Sequence, residues 1–121
     1  MIDRLRFRVW DKRLNRYLGK DDPTPMLMSN GNLAYLDDEG MKFYKVEQCT
    51  GLNDKNGKRI YEGDLIKIDD DVAVIKWSDY YARFMLESSE DNFDFETTYA
   101  EECKVIGNIH ENADLLEVGG K

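Results

Sequence analysis

Side chains able to act as nucleophiles or bases are few in this sequence and stand apart from one another. The chain has one histidine, His110, and two cysteines, Cys49 and Cys103. A hydrolytic triad needs a nucleophile held by a base that a third group orients, and no such set can be assembled from the sequence. A reactive thiolate needs a basic neighbour, and Cys103 has only Lys104 beside it. The sequence therefore predicts a protein that is not an enzyme, with no catalytic residues.

Metal and cofactor motifs are also missing from the sequence. Neither cysteine lies in a C-x-x-C pair, as zinc sites commonly require. A calcium loop of the EF-hand type around Gly57 would need acidic residues where Leu52 and Gly63 stand. The run Asp69-Asp70-Asp71 indicates a solvated turn, because three consecutive side chains cannot all face one ion. With no Walker-type or G-x-G-x-x-G loop, we expect neither a metal nor a cofactor.

Basic residues alternate with apolar ones near the amino terminus, which is typical of a half-buried β-strand. The pattern places Arg4, Arg6 and Arg8 on one face, about 6–7 Å apart. Such a face could follow a phosphate backbone. Its simpler use is to cover a sheet and pair with acidic residues of the same chain or of a neighbouring copy.

Charge is distributed unevenly along the chain, whose net charge is −8. Residues 1–60 hold 12 basic and 9 acidic residues, whereas residues 61–121 hold 5 basic and 16 acidic ones. This segregation favours self-association or an oppositely charged partner, and the acidic half opposes a polyanion. Nucleic acid is therefore a disfavoured partner.

Three aromatic residues, Trp77, Tyr80 and Tyr81, are predicted at a hairpin connection beside acidic side chains. Aromatic side chains give a large contact area with little loss of entropy, which suits a protein contact. The competing interpretation buries Trp77 at the end of a core strand. We predict a non-enzymatic protein-binding or self-assembling module, most simply a homo-oligomer; the alternative is a nucleic-acid-binding small β-barrel in which the aromatic residues stack bases. Both hypotheses use the same candidate surface: Arg4, Arg6, Arg8, Trp77, Tyr80 and Tyr81.

The elements that must position these residues are mostly strands. Short apolar runs separated by turn-forming residues predict a mainly β fold, a small SH3-like barrel or roll with an additional N-terminal β-hairpin region. Residues 1–41 are predicted to form that region and residues 42–118 the barrel with its tail, as one cooperative unit. At most one short helix is expected, at residues 99–103, where Thr98 and Glu101 have capping-box spacing. Residues 88–96 are expected to form an acidic loop.

Membrane and secretion signals are not found in the sequence. No apolar run approaches the roughly 20 residues that span a bilayer. The start of the chain has no apolar segment of the kind that signal peptides carry. We therefore expect a cytoplasmic protein, with its cysteines reduced.

Three stretches together resemble the YopX family of phage and prophage proteins. They are Phe7–Asp11, Thr50–Asp64 and Val105–Asn112, which read FRVWD, TGLNDKNGKRIYEGD and VIGNIHEN. The resemblance covers nearly the whole chain, and the central stretch is distinctive. It implies a phage or prophage protein with a mostly β fold and an SH3-like barrel part. It implies no established biochemical activity and no catalytic residues. From the residues, the central stretch is interpreted as a scaffold element built from glycine turns and Asx-turns.

Overall fold

The computed structural model describes residues 6–22, 25–30, 32–37, 40–88 and 91–119, and this part of the chain is mainly β, as predicted. Its strands and helices, in chain order, are β1 Phe7–Asp11, β2 Arg16–Tyr17, β3 Met26–Leu27, β4 Leu33–Asp37, β5 Gly40–Phe43, β6 Lys45–Asn53, β7 Arg59–Tyr61, β8 Asp64–Ile68, β9 Asp71–Ser78, β10 Arg83–Glu87, β11 Asn92–Asp94, α1 Thr97–Glu102, β12 Lys104–Asn108 and α2 Asp114–Gly119.

The strands form three antiparallel sheets that curl into a half-barrel. The first sheet has the order β2-β1-β6-β7, the second β11-β10-β9-β8-β12 and the third β3-β4-β5. Strand β1 pairs with β6, so the amino-terminal strand belongs to the same sheet as the central stretch. The boundary predicted between residues 41 and 42 lies inside β5. The two-region division and the SH3-like arrangement both stay predictions.

The main core lies against the second sheet. Ile66, Ile75 and Leu86 face inward from β8, β9 and β10 and pack with Ile60 and Val105. The preceding residue on β9, Val74, points to the other face and is also buried. Helix α2 packs against β9. Both faces of β9 are thus covered along part of its length. Beyond that part, its last residues reach the surface.

Helix predictions are corrected by the structure. Helix α1 spans Thr97–Glu102, and its N-cap is Glu96, whose side chain makes no capping hydrogen bond. The capping box expected from Thr98 and Glu101 is therefore wrong, because Thr98 already lies in the first turn. A second short helix, α2, adds to the single one predicted. Because so short a helix has little stability of its own, its contact with β9 accounts for it better than propensity does.

The segment 88–96, predicted as an acidic loop, contains strand β11. Strand β11 pairs with β10 over three residues, Met85 with Asp94, Leu86 with Phe93 and Glu87 with Asn92. The period-two pattern of a strand is not visible in so short an acidic segment, and pairing with β10 supplies the hydrogen bonds instead. This strand forms the edge of the second sheet.

Candidate functional site

Three aromatic side chains form an exposed patch at the connection between β9 and β10. Trp77 is 44% exposed, Tyr80 88% and Tyr81 59%. The rings of Tyr80 and Tyr81 meet edge to face, with centroids 4.8 Å apart. We call these three residues the aromatic patch. Trp77 is thus a surface residue, and the interpretation that placed it in the core is wrong.

Local contacts position the Trp77 side chain and the Tyr81 backbone. The Trp77 ring packs edge to face on Phe84, with centroids 5.1 Å apart, and its Nε1–H donates to Asp79 Oδ1 at 3.0 Å. The backbone N–H of Tyr81 donates to Ser78 Oγ at 3.1 Å. Strands β9 and β10 pair in register from Ser78 opposite Arg83 onward. The patch is therefore presented on an ordered hairpin end.

An open hollow of about 680 Å³ adjoins the aromatic patch on the outer face of β9, β10 and β11. Trp77, Tyr81 and Met85 line it. The charged side chains of its lining pair with one another, Lys76 with Glu87 and Arg83 with Asp94. Aromatic residues, methionine and arginine are the types enriched in protein interfaces.

The three arginines of the predicted surface have different surroundings. Arg4 lies outside the described residues. Arg6 is exposed and directly precedes β1. Arg8 points into the molecule, where its side chain is only 21% exposed and is paired with two buried carboxylates. Strand β1, which carries Arg8, and the aromatic patch lie in different sheets.

Arg8 belongs to a polar cluster centred on Glu47. Arg8 and Glu47 are directly opposed across β1 and β6, and Arg8 Nε donates to Glu47 Oε1 at 2.8 Å. Arg8 Nη2 lies 2.7 Å from Asp64 Oδ1. Both carboxylates are buried. A buried carboxylate requires charged and hydrogen-bonding partners, and Arg8 supplies them to both.

Two further side chains complete the Glu47 cluster, which we define as Arg8, Tyr17, Glu47, Asp64 and His110. Tyr17 donates its hydroxyl proton to Glu47 Oε1 at 2.8 Å. His110 Nε2 lies 2.9 Å from Glu47 Oε2. The buried Trp10 packs against the cluster, since its ring stacks on the His110 ring with centroids 4.2 Å apart. Every oxygen of Glu47 thus has a partner.

Burial or neighbouring charges raise the pKa values of Arg8, Tyr17 and Asp64. Burial raises the pKa of Asp64, and the attraction of Arg8 only partly opposes it. Burial also raises the pKa of Tyr17, helped by its hydrogen bond to Glu47. For Arg8, burial disfavours the charge, but attraction to Asp64, Tyr17 and Glu47 outweighs it and raises the pKa. Arg8 is therefore a fixed positive charge between the two carboxylates.

The Glu47 cluster joins the first and second sheets. Arg8, Tyr17 and Glu47 come from the first sheet, while Asp64 begins β8 of the second and His110 follows β12. Gly63 makes this approach possible, because a Cβ there would collide with the Glu47 carboxylate, and its φ is +88°. Its N–H donates to the Ile75 carbonyl, and its carbonyl accepts from Ile109 N–H. The arrangement is a tight, fully bonded junction.

The Glu47 cluster is not predicted from the sequence, because its members are scattered from position 8 to position 110. A signal exists at Glu47 itself. It alternates with Cys49 along β6, and both are buried, so the strand period places a carboxylate on an apolar face. A buried carboxylate predicts a basic partner. The sequence does not reveal which of its many basic residues that partner is.

The cysteines have surroundings typical of structural residues. Both are buried and neither forms a disulfide. Burial, with a contribution from the Asp54 charge, raises the pKa of the Cys103 thiol to about 11. This thiol is therefore protonated at neutral pH. Within residues 6–119, apart from the gaps given above, no three His, Cys, Asp or Glu side chains are grouped to hold a metal ion. In the same part of the chain, neither helix has the length and apolar character needed to cross a membrane.

Comparison with known proteins places the chain in a family. The family model described as YopX protein matches residues 6–117. The solved structure of protein EF1440 from Enterococcus faecalis is similar, with a TM-score of 0.64 and 26% sequence identity over 91% of this chain and 96% of that one. Protein yopX from Bacillus subtilis gives a TM-score of 0.57 and 25% identity over 93% of this chain and 98% of that one. No curated protein matches the chain. Because the family model covers nearly all of the sequence, the chain belongs to the YopX family.

Proposed function

We propose that this chain is a non-enzymatic accessory protein of a phage or prophage, and that it works by binding protein through the aromatic patch. The simplest partner is a second copy of the chain. The observation that carries the proposal is the exposure of Trp77, Tyr80 and Tyr81 together on an ordered hairpin. Exposed aromatic residues grouped in this way mark interaction sites more often than isolated ones do.

The surroundings of the aromatic patch support a protein partner. Tyrosine and tryptophan present an apolar body and a polar tip, which suits contacts that are partly wet. The adjoining hollow offers Met85 and charges that are already paired, so covering it leaves no unpaired charge behind. Rigid aromatic side chains lose little entropy on binding. These features favour an interface in which the patch supplies the anchors.

Nucleic acid binding through the predicted basic face of Arg4, Arg6 and Arg8 has less support. Arg8 is held between Glu47 and Asp64, so its charge is largely compensated and only 21% of its side chain is exposed. The chain as a whole carries a net charge of −8, which repels a polyanion at long range.

The structural roles of the histidine and of one cysteine support a non-enzymatic protein. His110 is enclosed by Trp10 and Glu47, and the Cys103 thiol is protonated.

The test is the mass in solution, measured by light scattering for the wild type and for a Tyr80→Ala/Tyr81→Ala variant. One chain has a mass of 14.1 kDa. We expect the wild type to be larger than one chain and the variant to fall toward that mass. Because the contact is apolar, the wild-type mass should persist between about 0.1 M and about 1 M salt, which spans weak and strong screening.

Phe7→Ala is the matched control, since Phe7 is an exposed aromatic residue, 53% accessible, on β1 of the first sheet. It should leave the mass unchanged. A wild-type chain that is monomeric in both salts would exclude a second copy as the partner. A photo-crosslinking residue at position 80 would then be compared with one at position 7 in host cytosol. Equal labelling from both positions would refute the aromatic patch as a binding surface.

A further inference from the structure

A cleft of about 390 Å³ opens beside the Glu47 cluster, at β6 and β7 of the first sheet, whereas the aromatic patch belongs to the second sheet. It is lined by Arg8, Asn53, Gly57, Lys58, Arg59 and Tyr61. All of these except Arg8 belong to the central stretch 50–64, and none of them is part of the core or of the proposed protein contact. The cleft volume is within the range of about 300–1,000 Å³ that small-molecule sites occupy.

The walls of the cleft are fixed by hydrogen bonds. Asn53 and Arg59 are paired across β6 and β7, so both project from the same face. The turn between them is organised by the buried Asp54, whose Oδ1 accepts the N–H groups of Asn56 and Lys58 at 2.9 Å each. Its Oδ2 accepts the N–H of Val105 at 2.9 Å. Lys58 therefore projects from an anchored backbone position.

The backbone at Gly57 is open to a ligand. This glycine has a φ of +82°, and a Cβ added there would meet no atom within 4 Å. A residue with a side chain would be strained at this φ and would occupy the open space. A polar ligand in the cleft can thus approach the backbone of the turn closely at Gly57.

The charges in the cleft are basic, and they are not equivalent. The Arg8 charge is compensated by Glu47 and Asp64. The Lys58 ammonium is attracted through space to Asp54 and Asp64, yet it makes no hydrogen bond or ion pair with any residue in the described ranges. Arg59 brings a second cation to the cleft lining. Together with the Asn53 amide, these groups provide N–H donors and positive charge in one small cleft.

We propose that this cleft binds the phosphate group of a small phosphorylated molecule, with Lys58 and Arg59 as the charged ligands and Asn53 as a further donor. Arginine matches the geometry of phosphate oxygens with two parallel N–H groups, and lysine binds phosphate as a point charge. A compact ligand is favoured over a nucleic acid strand, because a strand would extend over the acidic surface of a chain with a net charge of −8.

The test is a titration of the ¹⁵N-labelled protein with inorganic phosphate, ribose 5-phosphate and AMP at constant ionic strength, followed by NMR. We expect saturable shifts of the backbone amides of residues 53, 57, 58, 59 and 61. Both organic phosphates should bind more tightly than inorganic phosphate, since the cleft is larger than one phosphate group. A further gain for AMP over ribose 5-phosphate would mean that the base adds contacts to the phosphate site.

Lys58→Ala should weaken binding about tenfold, because one charge-assisted hydrogen bond is worth at least that factor. Lys55→Ala is the matched control; it removes an exposed lysine of the same turn that does not line the cleft, and it should change the affinity less than about twofold. Arg59→Lys keeps the charge and removes the planar fork, so it should also weaken binding. Thermal unfolding of each variant verifies that it is folded.

Three results would overturn the proposal. Shifts that do not saturate and are spread over all lysines would mean that phosphate acts only as a counterion. An equal loss of affinity in Lys55→Ala and Lys58→Ala would mean general electrostatics rather than a site. A single-stranded oligonucleotide that binds more tightly than AMP, and loses that binding in Lys58→Ala, would replace the small ligand by nucleic acid. None of these results depends on Trp77, Tyr80 or Tyr81, so the protein-binding proposal is tested separately.

Discussion

Among single residues, Glu47 has the most demanding position. Its carboxylate is buried and bonded to Arg8, Tyr17 and His110, which come from three different parts of the chain. Removing one member of a buried ion pair leaves the other charge without compensation. The same loss at the surface is small, because water replaces the missing partner. The effect of a substitution at Glu47 therefore measures how strongly the two sheets depend on this junction.

Glu47→Gln should lower the free energy of unfolding by about 3–5 kcal/mol, since it keeps the side-chain shape and removes one of the two buried charges that compensate Arg8. Urea unfolding gives the value from the midpoint and slope. Glu87→Gln is the control; it removes an exposed partner of Lys76 and should stay within about 1 kcal/mol of the wild type. If both variants unfold at the same urea concentration, the Glu47 cluster does not stabilise the fold.

The surroundings of Asp54 predict that the stability of the fold depends on pH. Burial raises its pKa, but the backbone N–H groups of Val105, Lys58 and Asn56 lower it by more, so the folded-state pKa is below the ordinary value. Its ionised form therefore stabilises the fold above pH of about 3.9, the unfolded pKa, and this contribution is lost as the pH falls through the folded-state pKa. An asparagine at position 54 has only one side-chain oxygen, so it cannot accept the N–H groups of Asn56, Lys58 and Val105 together.

Asp54→Asn should thus be destabilised by about 1–3 kcal/mol at pH 7, where a buried N–H loses its acceptor. The difference from the wild type should shrink as the pH falls below about 4. Urea unfolding of both proteins between pH 3 and pH 7 measures it, and subtracting one from the other removes the titration of the shared carboxyl groups. A difference that stays constant down to pH 3 would contradict the prediction.

Among the elements, the β9–β10 connection carries both the aromatic patch and an unfavourable backbone conformation. Ala82 has a φ of +54°. The left-handed region costs a residue with a Cβ about 1–2 kcal/mol, and glycine avoids that penalty at an entropic loss of about 0.5–1 kcal/mol. The hairpin keeps its aromatic end in place in spite of this strain.

Ala82→Gly should therefore stabilise the protein by about 0.5–1 kcal/mol, measured by urea unfolding. Ala73→Gly is the matched control on the same hairpin. Ala73 is buried within β9, where glycine loses packing and weakens the strand, so this variant should be less stable than the wild type. Destabilisation in both variants would show that the strain at Ala82 is compensated by contacts of its methyl group.

The elements that could be predicted from the sequence are those with a local signal. The hairpin of β8 and β9 follows from apolar runs on either side of Asp69-Asp70-Asp71, and the first strand from its period of two. What the sequence does not contain is the pairing of β1 with β6, because that register depends on Arg8 meeting Glu47 across 39 positions. The same distinction separates the two groups of side chains. The residues of the aromatic patch are neighbours in the sequence, so their proximity could be predicted, whereas the residues of the Glu47 cluster are brought together only by the fold.

At the scale of the whole molecule, the carboxyl-terminal half carries the excess of negative charge. Residues 61–121 hold 16 acidic and 5 basic residues, and the second sheet is built from this part of the chain. Like charges on one compact body repel one another and oppose folding. The pairs that Arg8 forms with buried carboxylates are screened little by salt, whereas surface repulsion is screened strongly.

Raising sodium chloride from about 0.02 M to about 0.5 M should therefore raise the midpoint of thermal unfolding, as the screening length shortens. Calorimetry at pH 7 measures it. Chloride is the suitable anion, because sulfate strengthens apolar burial by itself. A midpoint that falls with salt would mean that exposed pairs such as Arg83 with Asp94 contribute more than the repulsion does.

The two tryptophans of the sequence lie in contrasting surroundings, and this gives the protein two built-in optical reporters. Trp10 is buried against the His110 ring at the junction between the sheets. Trp77 is partly exposed to water on the aromatic patch. In a Trp77→Phe variant all tryptophan emission arises at the junction, and in the wild type a quencher dissolved in water reaches Trp77 first. Unfolding curves followed by the two signals coincide only if the junction and the hairpin end melt together, so the emission spectrum reports whether this chain unfolds as one unit.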